Sequence, residues 1–98
     1  MTLKLRLYPT LYASRKEFSY TRDALYASVG FDEGKTREAN QEIVENDGTR
    51  TMYRACSSDA DIYRFRGMEF NEVYVSPACS PDVHSGALRL HVIPSRQP

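Results

Sequence analysis

The dipeptide Asp47-Gly48 constrains this chain more than any other feature. It stands between two runs that read as strands, Glu42-Ile43-Val44-Glu45-Asn46 and Thr49-Arg50-Thr51-Met52-Tyr53-Arg54-Ala55. Asp-Gly in that setting predicts a two-residue β-hairpin, because both turn positions require positive φ. An isolated hairpin is barely stable in water, so the other segments must extend the sheet and cover its apolar face.

The flanking segments supply such material. Leu3, Leu5 and Leu7 alternate with Lys4, Arg6 and Tyr8, which predicts a half-buried strand stopped by Pro9. Ser14-Arg15-Lys16-Glu17 fits a capping box, and Phe18, Leu25 and Val29 then share one stripe. Together they predict a helix from about Arg15 to Val29, closed at Gly30. The polar stretch from Phe31 to Gln41 reads as a loop or a short exposed turn. Asp59 to Phe65 reads as one or two helical turns closed at Gly67, and Glu72 to Val75 as a short strand. Pro77 and Pro81 bracket a loop. Leu88, Leu90 and Val92 alternate with Arg89 and His91, predicting a half-exposed strand over Ala87 to Ile93. Residues 94–98 read as a loose tail. The expected fold is therefore α+β: a mainly antiparallel sheet of about four to five strands, with one main helix packed on one face. It forms a single domain over residues 1–98.

Bulk properties narrow the function. At 98 residues the chain is one domain long. Thirteen basic and thirteen acidic side chains cancel, whereas binding driven by phosphate charge favours an excess of Lys and Arg. Near-zero charge weakens colloidal repulsion, so a homo-oligomer is compatible with the composition. Two cysteines, Cys56 and Cys79, are too few for a disulfide framework and read as buried thiols in a reducing compartment. With no apolar leader and no membrane-length apolar run, the expected location is the cytoplasm, with no membrane partner.

Complete catalytic or metal-binding sets are not legible. Gly34-Lys35-Thr36 resembles the end of a phosphate loop, but the glycine required five residues earlier is Val29. Asp82, His84 and Ser85 are too close in sequence to form a triad. His84, His91, Cys56 and Cys79 have no ligand spacing suited to a metal. Asp59, Asp61, Glu69 and Glu72 are interleaved with Arg64 and Arg66, which offer simple ion pairs. Neither cofactor nor catalytic residue is predicted. The stronger signal is aromatic and cationic. Tyr53, Arg54, Tyr63, Arg64, Phe65 and Arg66 cluster mid-chain, and Tyr8, Tyr12, Arg15 and Tyr20 near the start. Such residues are enriched at protein–protein hot spots and also stack on nucleic-acid bases. The mid-chain six are the candidate interface.

The run from Asp47 to Tyr53, followed by Asp59 to Val75 with its Arg66-Gly67-Met68-Glu69-Phe70 core, resembles a segment of the ATPase domain of phage terminase large subunits and, more distantly, of helicases. Leu5-Arg6-Leu7-Tyr8-Pro9-Thr10 is similar to the strand, Pro-Thr, helix unit of the same ATPases. Where that family carries an acidic pair, this chain has Ser76 and Pro77. The resemblance thus implies a stripped relative or mimic that cannot hydrolyse nucleotide, from a phage or mobile element. The expected function is a small non-enzymatic accessory protein that acts through a protein–protein interface, modulating or inhibiting a host machine in the host cytoplasm. The alternatives are a nucleic-acid-binding module using the Arg/Tyr surface, and a degenerate nucleotide-binding ATPase fragment.

Overall fold

The computed structural model describes residues 2–28, 36–37, 41–45 and 47–93, with 36–37 described at backbone level. The expected helix end at Val29 and Gly30, the Gly34-Lys35 stretch and the 94–98 tail lie outside the described residues.

The domain is α+β. Strand β1 (Leu3–Tyr8) leads into helix α1 (Leu11–Tyr26). Strands β2 (Thr36–Arg37), β3 (Glu42–Val44) and β4 (Arg50–Ala55) follow. Next come helix α2 (Asp59–Ile62), a 3₁₀ turn (Tyr63–Phe65), and strands β5 (Glu69–Phe70) and β6 (Glu72–Val75). Helix α3 (Pro81–Ala87) and strand β7 (His91–Val92) complete the order. The main sheet runs β2-β3-β4-β1-β6, and β5 pairs with β7 in a small second sheet.

The expected mainly antiparallel sheet is corrected to a mixed one. The β3–β4 hairpin is antiparallel, pairing Ile43 with Thr51. Strand β1, however, lies between β4 and β6 and runs parallel to both, with Leu5 opposite Met52 on one side and Val73 on the other. The helices explain this. Parallel neighbours need long crossovers, and α1 and α2 supply them between β1 and β4 and between β4 and β6.

The single covering helix is also corrected, because both sheet faces are covered. Leu5, Leu7, Met52, Cys56, Ile62, Phe65, Phe70, Cys79 and Val83 form one core beneath α2, the 3₁₀ turn and α3. Tyr8, Phe18, Ile43 and Tyr53 form a second beneath α1. Strand β1 is therefore interior rather than half-buried. Its polar face carries Arg6 and Tyr8, whose long apolar bodies bury while their polar ends bond each other, Arg6 Nε donating to Tyr8 Oη at 2.8 Å.

Helix α1 starts four residues earlier than expected. Thr10 is its N-cap, accepting from the Ala13 amide at 3.0 Å. Ser14 lies inside the helix and is fully buried, its hydroxyl donating to Leu11 O at 2.9 Å. The hairpin turn also differs in detail. Only Gly48 of the pair takes a positive φ, +90°. Glu45 N donates to Thr49 O and Gly48 N to Glu45 O, closing a loop one residue longer than the two-residue type.

The expected strand over Ala87 to Ile93 is corrected to the end of α3, a turn and the two residues of β7. Pro81 opens α3 rather than bracketing a loop, since its fixed φ suits a first helical turn. Val83, Gly86, Ala87 and Leu90 are all buried, at the spacing of a helical stripe. That stripe prevails over the alternation of Leu88, Leu90 and Val92. Gly86 permits close packing of α3 on α2: a Cβ there would collide with the Asp59 carboxylate. No helix among the described residues is long and apolar enough to cross a membrane.

Candidate binding surfaces

The six sequence-predicted interface residues do not form one surface. Tyr53 and Phe65 are interior, each less than 5% exposed. The Tyr53 ring stacks on Tyr8 with centroids 6.2 Å apart and meets Phe18 edge-on at 5.7 Å. Phe65 meets Phe70 edge-on at 6.3 Å. Sequence alone could not assign these rings to the interior, because β4 and the 3₁₀ turn are packed on faces that only the tertiary fold creates. Tyr63 is exposed, with the Arg66 guanidinium 4.2 Å from its ring centroid. That pair borders a small indentation beside Asp59 and Arg89.

Arg54 and Arg64 do come together. Both line a cleft of about 360 Å³ with Arg15, Leu11, Gln41, Tyr53 and Ala55. The backbone positions this cleft. After β1 the chain passes to α1 over one sheet face, and after β4 to α2 over the other. The crevice opens between the two carboxyl ends, where the connections part, as binding crevices commonly do in sheets of parallel strands. Arg54 is held by Glu42 Oε2 at 3.0 Å and by its donation to Tyr53 O at 2.9 Å. Glu42 is itself buried and also paired with Arg50, at 2.6 Å. Arg64 Nη2 donates to Ala55 O at 2.6 Å.

A second cation sits among rings on the α1 side of the sheet. The Arg6 guanidinium lies 4.1 Å from the Tyr74 ring centroid and 5.9 Å from those of Tyr8 and Tyr53. Burial raises the Tyr8 phenol against the lowering effect of the Arg6 bond, and burial raises that of Tyr53 too.

A groove that sequence reasoning missed runs beside β6. Its volume is about 490 Å³, and Val73, Val75, Ala87, Leu88, Leu90 and Val92 line it together with His84 and His91. Leu88 is 88% exposed, and Val92 and Ile93 are also open to solvent. β6 pairs with β1 on its inner side and, among the described residues, has no strand on its outer side. The available signal was the four-residue helical stripe through Val83 and Leu90, which turns Leu88 outward.

The other candidate groups are dispersed. Asp61 accepts from the Ser57 amide at 2.8 Å, a bond that holds its carboxyl below the ordinary range. Asp59 pairs with Arg89 and Glu72 with Lys4, each at 3.5 Å. His84 and Ser85 lie on the exposed face of α3. Cys56 and Cys79 are free and buried, and burial pushes both thiols up. Among the described residues, no group of three or more His, Cys, Asp or Glu side chains is arranged to hold a metal ion. The chain matches no protein-family profile, no curated protein and no solved structure.

Proposed function

We propose that this is a non-enzymatic binding protein that receives an extended segment of a partner protein along the open edge of β6. The observation that carries the reading is Leu88, 88% exposed at the rim of an apolar groove beside a strand edge that no described strand pairs with. A strand edge offers a row of backbone donors and acceptors. A groove along one face of that edge accepts every second side chain of an added strand. The occupant is thus an extended peptide with apolar residues at alternate positions. Its backbone continues the main sheet, while its side chains cover Val73, Val75 and Leu88. Contiguous exposed apolar surface of this kind marks interaction sites. With the resemblance of residues 47–53 and 59–75 to a segment of phage terminase ATPase domains, the reading extends to an accessory protein of a phage or mobile element that engages a host machine.

The test is selection of extended peptides from a display library, followed by titration against the native protein and Leu88→Asp. The reading expects selected peptides to be apolar at alternate positions, and to lose at least about tenfold in affinity for the variant. Leu88 is exposed, so the variant's Tm should stay within a few degrees of the parent. Equal affinity for both proteins would contradict the reading, as would self-association that consumes the β6 edge.

A further inference from the structure

Strand β6 presents two faces at its outer edge, and the apolar groove uses only one of them. Val73 and Val75 pack on the core beneath α3, whereas Tyr74 packs on the core beneath α1. Successive side chains of a strand leave on opposite sides of the sheet, and a strand added to β6 must alternate in the same way. A peptide that fills the groove with every second side chain therefore turns the residue between them toward Tyr74.

The room along this edge is short. Asn71 N donates to Leu3 O and so faces β1. Phe70 O, one residue earlier, faces the other way and accepts from Ile93 N at 2.7 Å. β7 thus lies on the outer flank of β5, in the lane that runs on beside β6. The Asn71 side chain joins the two flanks, donating to Ile93 O at 2.9 Å and accepting from Leu3 N at 2.8 Å. At the other end β6 stops at Val75 and the chain turns at Pro77. An added strand meets the four residues from Glu72 to Val75. So short an edge supplies few backbone bonds, each of modest net worth, and side chains on both faces must carry recognition.

Tyr74 is positioned to take part. It is half-buried, and its ring neighbours come from β1. Arg6, its partner in register, places its guanidinium 4.1 Å from the ring centroid, and the Tyr8 ring lies 6.1 Å away at 49°. Arg6 is fixed in turn by the Tyr8 phenol. The ring is held from its inner flank, and no described strand covers the outer one. Residues directly opposite on adjacent strands bring Cβ atoms to about 5 Å, within reach of a ring-on-ring contact.

We infer that Tyr74 selects an aromatic residue between the two groove-filling residues of the bound segment. The inference rests on the edge-binding reading above and narrows its occupant to a short extended segment ordered apolar, aromatic, apolar. An aromatic side chain covers the outer flank of the ring most fully. A cation in its place would face Arg6 across the ring, and like charges that close repel.

The experiment titrates the whole protein with short capped peptides carrying Val-Xaa-Val in a polar extended sequence, Xaa being Phe, Leu, Lys or Asp, followed by amide NMR. The Phe peptide should bind about three- to tenfold more tightly than the Leu peptide, with Lys and Asp weaker still. Tyr74→Phe keeps a ring and should retain the preference, whereas Tyr74→Leu should bind the Phe and Leu peptides equally. Tyr74→Leu also removes the Arg6 contact, so thermal unfolding accompanies it, and the peptide series on the parent protein decides without it. Tyr20→Leu, at an exposed tyrosine of α1, should leave the preference unchanged. Peptides that shift the β6 amides and weaken with Leu88→Asp, yet bind alike with Phe and Leu, would leave the edge reading standing and overturn the role of Tyr74. Absence of binding across the whole series would overturn both.

Discussion

Arg6 is the residue whose environment departs furthest from its sequence appearance. Alternation with Leu5 and Leu7 suggests a solvated cation, yet it lies among Tyr8, Tyr53 and Tyr74 and bonds the Tyr8 phenol. Arg6→Ala removes cation–π contacts and strands the buried Tyr8 hydroxyl. We expect a loss of about 1–3 kcal/mol by urea denaturation, and a loss below about 0.5 kcal/mol, the usual range of a surface substitution, would contradict it. The same nest carries a pH dependence. Folding raises the Tyr8 and Tyr53 phenols, largely by burial, whereas the unfolded chain keeps the ordinary value of about 10. The native state thus holds these protons more tightly. Their contribution is fully present below about pH 10 and is lost as pH rises through the raised values. The urea midpoint should therefore fall as the pH rises above about 10, and a constant midpoint would count against a buried nest. Tyr53 and Phe65 illustrate the limit of composition. Aromatic residues beside arginine look the same in sequence whether they line a core or an interface, and here Tyr53 and Phe65 are buried in the two cores while the neighbouring Arg54 and Arg64 reach the cleft.

Elements were legible where the signal was local. The β3–β4 hairpin, the turn closed by Gly67 and strand β6 follow from residues adjacent in sequence. The start of α1 was misassigned because Ser14 to Glu17 fits a capping box, while Pro9, next to the actual cap Thr10, read only as a stop. The two starts separate experimentally. Thr10→Ala should cost about 1 kcal/mol of stability, the usual loss of an N-cap. Glu17→Ala, which a capping box at Ser14 would make costly, should change it by less than about 0.5 kcal/mol, because Glu17 is exposed within the helix. The reverse order in chemical denaturation would place the cap at Ser14. Strand direction was not legible at all. Parallel pairing of β1 with β4 and β6 depends on where α1 and α2 cross, and nothing within the strands encodes it. Leu88 was legible only through the helical stripe from Val83 to Leu90, because its outward position depends on α3 continuing through Ala87.

For the whole molecule, the decisive property is a sheet covered on both faces and, among the described residues, left open along β6. Burial on both sides makes β1 the structural centre: Leu5 and Leu7 are fully buried on one face and Tyr8 is buried on the other. Its amides should therefore be among the slowest to exchange with solvent, at rates near those of global unfolding. The two candidate surfaces then occupy different regions, the arginine cleft at the ends of β1 and β4 and the apolar groove beside β6. Only the first was foreshadowed by its residues. The second arises from the packing of α3, which no local pattern near β6 reveals. The most direct test is amide hydrogen exchange of the protein alone and saturated with a selected extended peptide. The account predicts new protection concentrated on the outward-facing amides of β6, with the α1 and β4 amides unchanged. Protection confined to the arginine cleft, or absent from β6, would contradict it.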